Sequence, residues 1–223
     1  MEEIYDLGRF FPYGTSDDNL NQYIGHHLAS ATKCVESELF SSAYSHIHLL
    51  YMAFIYIQLL RIAKEKEREF EYSWIGFPGQ EKDFLKDPTS PFSFALINEK
   101  TVFRFFRLVG FDDASIGDIA HMIKIRNERM HATGKIYCSS VDEFEVELAT
   151  YTKRMKLVLK NQQSFLVDIY AGLLDTFDED YTFTQDDLEN NYIDQYLFSE
   201  YELTVLAKNR QDKISRYISE LYA

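Results

Sequence analysis

One stretch of the chain brings together side chains able to do chemistry. His121-Met122-Ile123-Lys124-Ile125-Arg126-Asn127-Glu128-Arg129-Met130-His131-Ala132-Thr133-Gly134-Lys135 places a guanidinium, a carboxamide and an imidazole within six residues, Arg126 to His131. A guanidinium offers a fixed fork of donors that suits phosphate oxygens. An imidazole titrates near neutrality and can pass a proton. The segment carries +3, from Lys124, Arg126, Arg129 and Lys135 against Glu128, in a protein of net charge −13.

The spacing predicts a helix. With Ile116 as origin and about 100° per residue, Ile119, Ala120, Ile123 and Met130 make an apolar stripe. Asn127 falls near the middle of that stripe, with His131 towards one edge and Arg126 towards the other. Spacing alone favours a paired core histidine at position 131 and a buried, hydrogen-bonded Asn127, because buried polar groups are as a rule satisfied.

Arg126-Asn127-x-x-x-His131 on a late helix of an all-α chain resembles the R-x-x-x-x-H signature of the HEPN superfamily, in which Asn, Asp or His is favoured after the Arg. The resemblance extends to the order of elements over about residues 17–175: a long apolar second helix, a loop, the motif helix and another long helix. It implies a HEPN-like antiparallel helical bundle acting as a metal-independent endoribonuclease, in a toxin–antitoxin or phage-defence setting. Arg126, Asn127 and His131 would be catalytic. RNA supplies the 2′-hydroxyl nucleophile, His131 moves the proton, and Arg126 holds the charge that grows on the phosphate. Asn127 orients the His or the phosphate, and the products carry 2′,3′-cyclic phosphate ends. The resemblance also implies a homodimer through the motif helix, RNA as partner, no cofactor, and a possible antitoxin. The position where related toxins carry a nucleotide-accepting Tyr holds Thr133, so that regulation is not carried over.

Phosphate contacts are expected from Lys124, Arg129 and Lys135, and from Lys153 and Arg154 on the following helix. The overall charge opposes this, since 36 acidic residues face 23 basic ones. The excess is local. Residues 1–160 carry 19 basic and 23 acidic side chains, and residues 161–223 carry 4 and 13. An acidic helical extension is therefore expected to follow a nearly balanced domain.

The elements that must position the motif read as helices throughout. Asp17 and Asp18 can cap a first helix with a face of Leu20, Tyr23, Ile24, His27, Leu28 and Ala31. A second helix is expected over 41–71, apolar nearly all round from Leu49 to Leu60, and so central. Residues 73–91 hold Gly76, Pro78, Gly79, Pro88 and Pro91 and read as an irregular crossover. Two short helical stretches, 92–100 and 101–109, lead to a break at Gly110. Asp112-Asp113 then caps the motif helix, for which Gly134 is the expected C-cap. Ser140-Val141-Asp142-Glu143 reads as a capping box opening the next long helix. A last short helix is expected around Ile214–Leu221. These divisions give a lead-in over 1–16, the helical domain over 17–175, and an acidic extension over 176–223 that packs on the domain or meets a partner.

The acidic start lacks a secretory leader, and the longest unbroken apolar run, Leu49 to Ile57, is too short for a bilayer span, so a cytoplasmic protein with no membrane contact is expected. Neither His26-His27 nor His46-x-His48 chelates well on one helix, and Cys34 and Cys138 are isolated, so no metal site is expected. A different function class fits the same residues: a catalytically silent HEPN-like module that binds nucleotide, RNA or protein.

Overall fold

The computed structural model describes residues 2–130, 136–175 and 184–208, and every regular element among them is helical. The fold class is all-α, as the periodicity requires. The expected Gly134 C-cap and the helix around Ile214–Leu221 lie outside the described residues.

The N-terminal residues do more than lead in. Helix α1 (Glu2–Gly8) and the turn after it bury Ile4, Leu7, Phe10 and Phe11 in the common core. Helix α2 (Asp18–Glu36) begins where Asp17 accepts a hydrogen bond from the Leu20 amide at 3.0 Å. After a short turn comes α3 (Phe40–Glu65), against which α2, α8 and the segment 91–96 pack. By length and hydropathy α3 could cross a membrane, yet 89% of its most apolar window is buried within the protein. An element enclosed on all sides needs apolar side chains on all sides, which is what its sequence supplies.

The expected continuous second helix is interrupted at Lys66, and α4 (Glu67–Ser73) restarts in a new direction. The break turns Phe70 into the core, where its ring lies 4.6 Å from Phe105. The expected crossover over 73–91 is built of short helical pieces: a 3-10 turn at Trp74–Gly76, α5 (Gly79–Leu85), and a 3-10 turn from Pro91. Phe77 stacks on Phe105 at 5.3 Å and ties this region down. Helix α6 (Glu99–Val102) continues as a 3-10 segment to Val109 and stops at Gly110, whose φ of 89° is the left-handed conformation that closes a helix.

Helix α7 (Asp113–Met130) carries the motif, with Asp112 accepting from the Ser115 amide at 2.7 Å. Helix α8 (Val141–Asn161) opens on the expected cap, the Ser140 hydroxyl accepting from the Glu143 amide at 3.3 Å. The Glu143 carboxylate in turn accepts from the Ser139 amide. Helix α9 (Gln163–Asp175) follows directly. Helix α10 (Gln185–Asp187) runs into a π-helical turn to Asp194, and α11 (Glu200–Lys208) ends the described chain. Tyr192, Phe198, Leu203 and Leu206 are buried, so this described part of the acidic extension packs on the domain.

What holds it there is a cation. Arg61 of α3 is 1% exposed. It donates to both oxygens of Glu202, to Gln58 Oε1 at 2.9 Å, and to the carbonyls of Tyr196 and Leu197 at 2.5 Å each. Its guanidinium also lies 4.7 Å from the centre of the Phe198 ring. Glu202 itself accepts from the Ser199 amide and hydroxyl, both at 2.8 Å. Removing one member of such a pair strands the other charge in the core, at a cost of about 3–5 kcal/mol. Glu202→Ala is therefore expected to lower unfolding stability by that amount in urea titration, whereas Glu200→Ala, at the exposed Arg9 pair, shifts it by less than about 1 kcal/mol.

Candidate functional site

The buried face of α7 runs through Ile119, Met122 and Ile123, and the next position in that i, i+3, i+4, i+7 row is Arg126. The core-facing stripe is thus rotated from the expected one. Arg126 lies at its centre, Asn127 lies half-buried at its flank, and Met130 is 55% exposed instead of buried. The reason lies in α3, which presents a polar atom at this level for Arg126 to meet.

That atom is His48 Nε2, which accepts from Arg126 Nε at 3.2 Å. Arg126 Nη2 donates to Glu99 of α6 in an ion pair whose side chains are 26% and 33% exposed. Nη1 has no hydrogen-bond partner among the described residues. Because Arg126 can only donate, His48 carries its proton on Nδ1. Nδ1 lies 3.0 Å from the Tyr151 hydroxyl, which donates to the Tyr44 hydroxyl at 3.1 Å. Arg129 lies over the Tyr44 ring at 4.9 Å and pairs with Glu147 at 2.6 Å. A buried relay thus runs from one motif arginine to the other through α3 and α8.

The expected phosphate-binding residues do not gather at one place. Lys124 is exposed and 3.9 Å from Glu128. Arg129 is committed to Glu147, whose hydrogen bond raises its already high pKa. Arg154 reaches back to Asp118 of α7 at 3.2 Å. Lys153, one position earlier on α8, points to the other flank of that helix, where it lines a separate cavity with residues of α1 and α11. His131 and Lys135 lie outside the described residues.

Beside the end of α7, a concavity of about 410 Å³ is lined by Arg129, Ile136, Tyr137, Cys138, Glu143 and Glu147 among others. Its charge is mostly acidic. Burial, reinforced by Glu147, pushes the Cys138 thiol up to about 11, so it is a protonated thiol and not a nucleophile at neutral pH.

A second histidine contact was not legible from spacing. His27 of α2 and His46 of α3 meet with their Nδ1 atoms 2.9 Å apart, and the His26 ring is 5.1 Å from that of His27. No group of three or more His, Cys, Asp or Glu among the described residues is arranged to hold a metal. The only available signal was that His27 falls on the apolar face of α2. No protein-family model, curated protein or solved structure matches the chain.

Both buried imidazoles are held neutral. Burial, with Arg126 adding to it, pushes His48 down to about 3. Burial, then His46 and His26, pushes His27 down to about 4. In the unfolded chain the same rings protonate near pH 6.5. Below that pH the unfolded state binds more protons than the native state, so stability falls as pH falls towards 4. The urea midpoint is therefore expected to be lower at pH 5 than at pH 7. His27→Asn should shrink that difference, whatever it does to the midpoint at pH 7.

Proposed function

We propose that the protein is a metal-independent endoribonuclease of the HEPN type. It acts on RNA through Arg126, Asn127 and His131 and leaves 2′,3′-cyclic phosphate ends. The observation that carries this reading is the setting of Arg126. It is fixed at Nε by His48 and at Nη2 by Glu99, leaving Nη1 without a described partner on a partly exposed side chain. A guanidinium oriented in advance loses little freedom when a phosphate arrives, which is the condition for electrostatic stabilisation of a growing charge. Asn127 lies half-buried one residue further on, and His131 stands five positions after Arg126 in the sequence.

Homodimerisation through the end of the motif helix fits the exposed apolar side chains there. Met130 is 55%, Ile136 84% and Val146 65% exposed. A twofold contact would cover them and bring two motifs together. A toxin–antitoxin or defence setting, with an antitoxin as protein partner, is the biological context proposed for this activity.

The Arg126–Glu99 ion pair favours a second reading, the silent binding module. In it the guanidinium is neutralised for good and serves to join α6 to α7. The two diverge in one experiment. In excess chelator, wild-type protein is expected to cleave mixed RNA to cyclic-phosphate ends, and Arg126→Ala and His131→Ala each to lose at least about 100-fold in rate. Glu99→Gln should keep or raise the rate if the pair is exchanged for phosphate. Folded wild type that leaves RNA intact while still binding RNA or nucleotide would support the silent module instead.

A further inference from the structure

The flank of α8 that turns away from α7 carries its own arrangement. Here α1, α8 and α11 enclose a cavity of about 500 Å³, within the range of small-molecule sites, lined by Asp6, Phe10, Ala149, Lys153, Lys156 and Tyr201 among others. Phe10 is 3% exposed, and the Tyr201 ring stacks on it at 4.4 Å and 21°. The Tyr201 amide donates to the Arg9 carbonyl at 3.0 Å, which fixes this ring's backbone. Lys156 Nζ lies 5.8 Å from the centre of the Tyr201 ring.

The charges are unusual for this protein. Acids outnumber bases by 13, and Arg9, the arginine in the cavity wall, is already paired with Glu200. Lys153 and Lys156 form no ion pair with any described residue, although Asp6 stands in the same wall. At i and i+3 their side chains leave α8 on one side, about 5–6 Å apart at Cβ, close enough for both ammonium groups to reach one phosphate. The Tyr201 ring beside them is held by its stack on Phe10, and Lys156 lies over it. A planar ring laid there would release that lysine to an anion.

We propose that this cavity binds a nucleoside phosphate, the phosphate held by Lys153 and Lys156 and the base laid against Tyr201. The chemistry is that of either a free mononucleotide or the phosphorylated end of an RNA strand. It is separate from the Arg126 network and holds whether or not that network cleaves RNA.

Calorimetric titration of the full chain tests it, with adenosine monophosphate, adenosine, inorganic phosphate, and a short non-cleavable 2′-O-methyl oligonucleotide with and without a 5′-phosphate. The monophosphate, or the phosphorylated oligonucleotide, is expected to bind at least tenfold more tightly than adenosine, inorganic phosphate or the unphosphorylated strand. Binding by the mononucleotide identifies the free nucleotide as sufficient, and binding by the phosphorylated strand alone identifies the RNA end. Lys153→Gln with Lys156→Gln should weaken binding at least tenfold. Tyr201→Leu, which keeps the apolar contact with Phe10, should weaken the monophosphate but not inorganic phosphate. The proposal is overturned if neither phosphorylated probe binds, if inorganic phosphate binds as tightly, or if the folded lysine variant binds unchanged. Failure of RNA cleavage in the separate assay leaves these outcomes untouched.

Discussion

A helix enclosed on every side cannot carry a polar group without dictating its neighbours. Helix α3 is such a helix, and within its buried length it carries His48, Gln58 and Arg61. Each must be met, since an unpaired buried polar group costs more than a made hydrogen bond returns. Arg61 fixes the most. Its donors reach Gln58, Tyr196, Leu197 and Glu202 in a single cluster, and Gln162 at the end of α8 joins through Gln58. The acidic C-terminal region is anchored by the charge it complements, so its composition near Glu202 belongs to folding as much as to solubility.

His48 does the same one level away, with a direction built in. A donor-only partner at Nε2 sets the ring tautomer, the tautomer sets the donor at Nδ1, and the Tyr151 hydroxyl of α8 then passes the polarity back to Tyr44 of α3. The candidate catalytic Arg126 is thereby part of the scaffold. Any ligand that draws on its charge competes with Glu99 but need not disturb the Nε contact that aims it. The same scaffold explains why Arg129, three positions after Arg126, is spent on Glu147 and Tyr44 instead of on a ligand.

Local features were legible in the sequence because their causes are local. Asp17, Asp112 and Ser140 cap the helices they precede, and Gly110 breaks the chain where a left-handed residue is needed. The centrality of α3 followed from its lack of a polar face. What depended on partners far away in the chain was not legible. Arg61 and Glu202 are separated by 141 positions, and nothing in either neighbourhood names the other. The α7 stripe is rotated from the one the periodicity predicts because His48, 78 positions earlier, gives Arg126 a reason to face inward. Lys153 and Arg154 are neighbours in sequence, but successive helical residues diverge by about 100°, and they serve different flanks of α8.

The Phe10–Tyr201 stack, the Arg9–Glu200 pair and the Tyr201 amide on the Arg9 carbonyl join the first helix to the last one described. They close a loop of 191 residues. A chain emerging from a ribosome can pair α2 with α3 early, since those contacts are near in sequence, but this seam waits until synthesis has passed α11. Until then α1 lacks one of its walls, and the cavity with its two unpaired lysines does not exist. The protein acquires that concavity only once α11 has packed against α1 and α8, which makes it a late marker of folding.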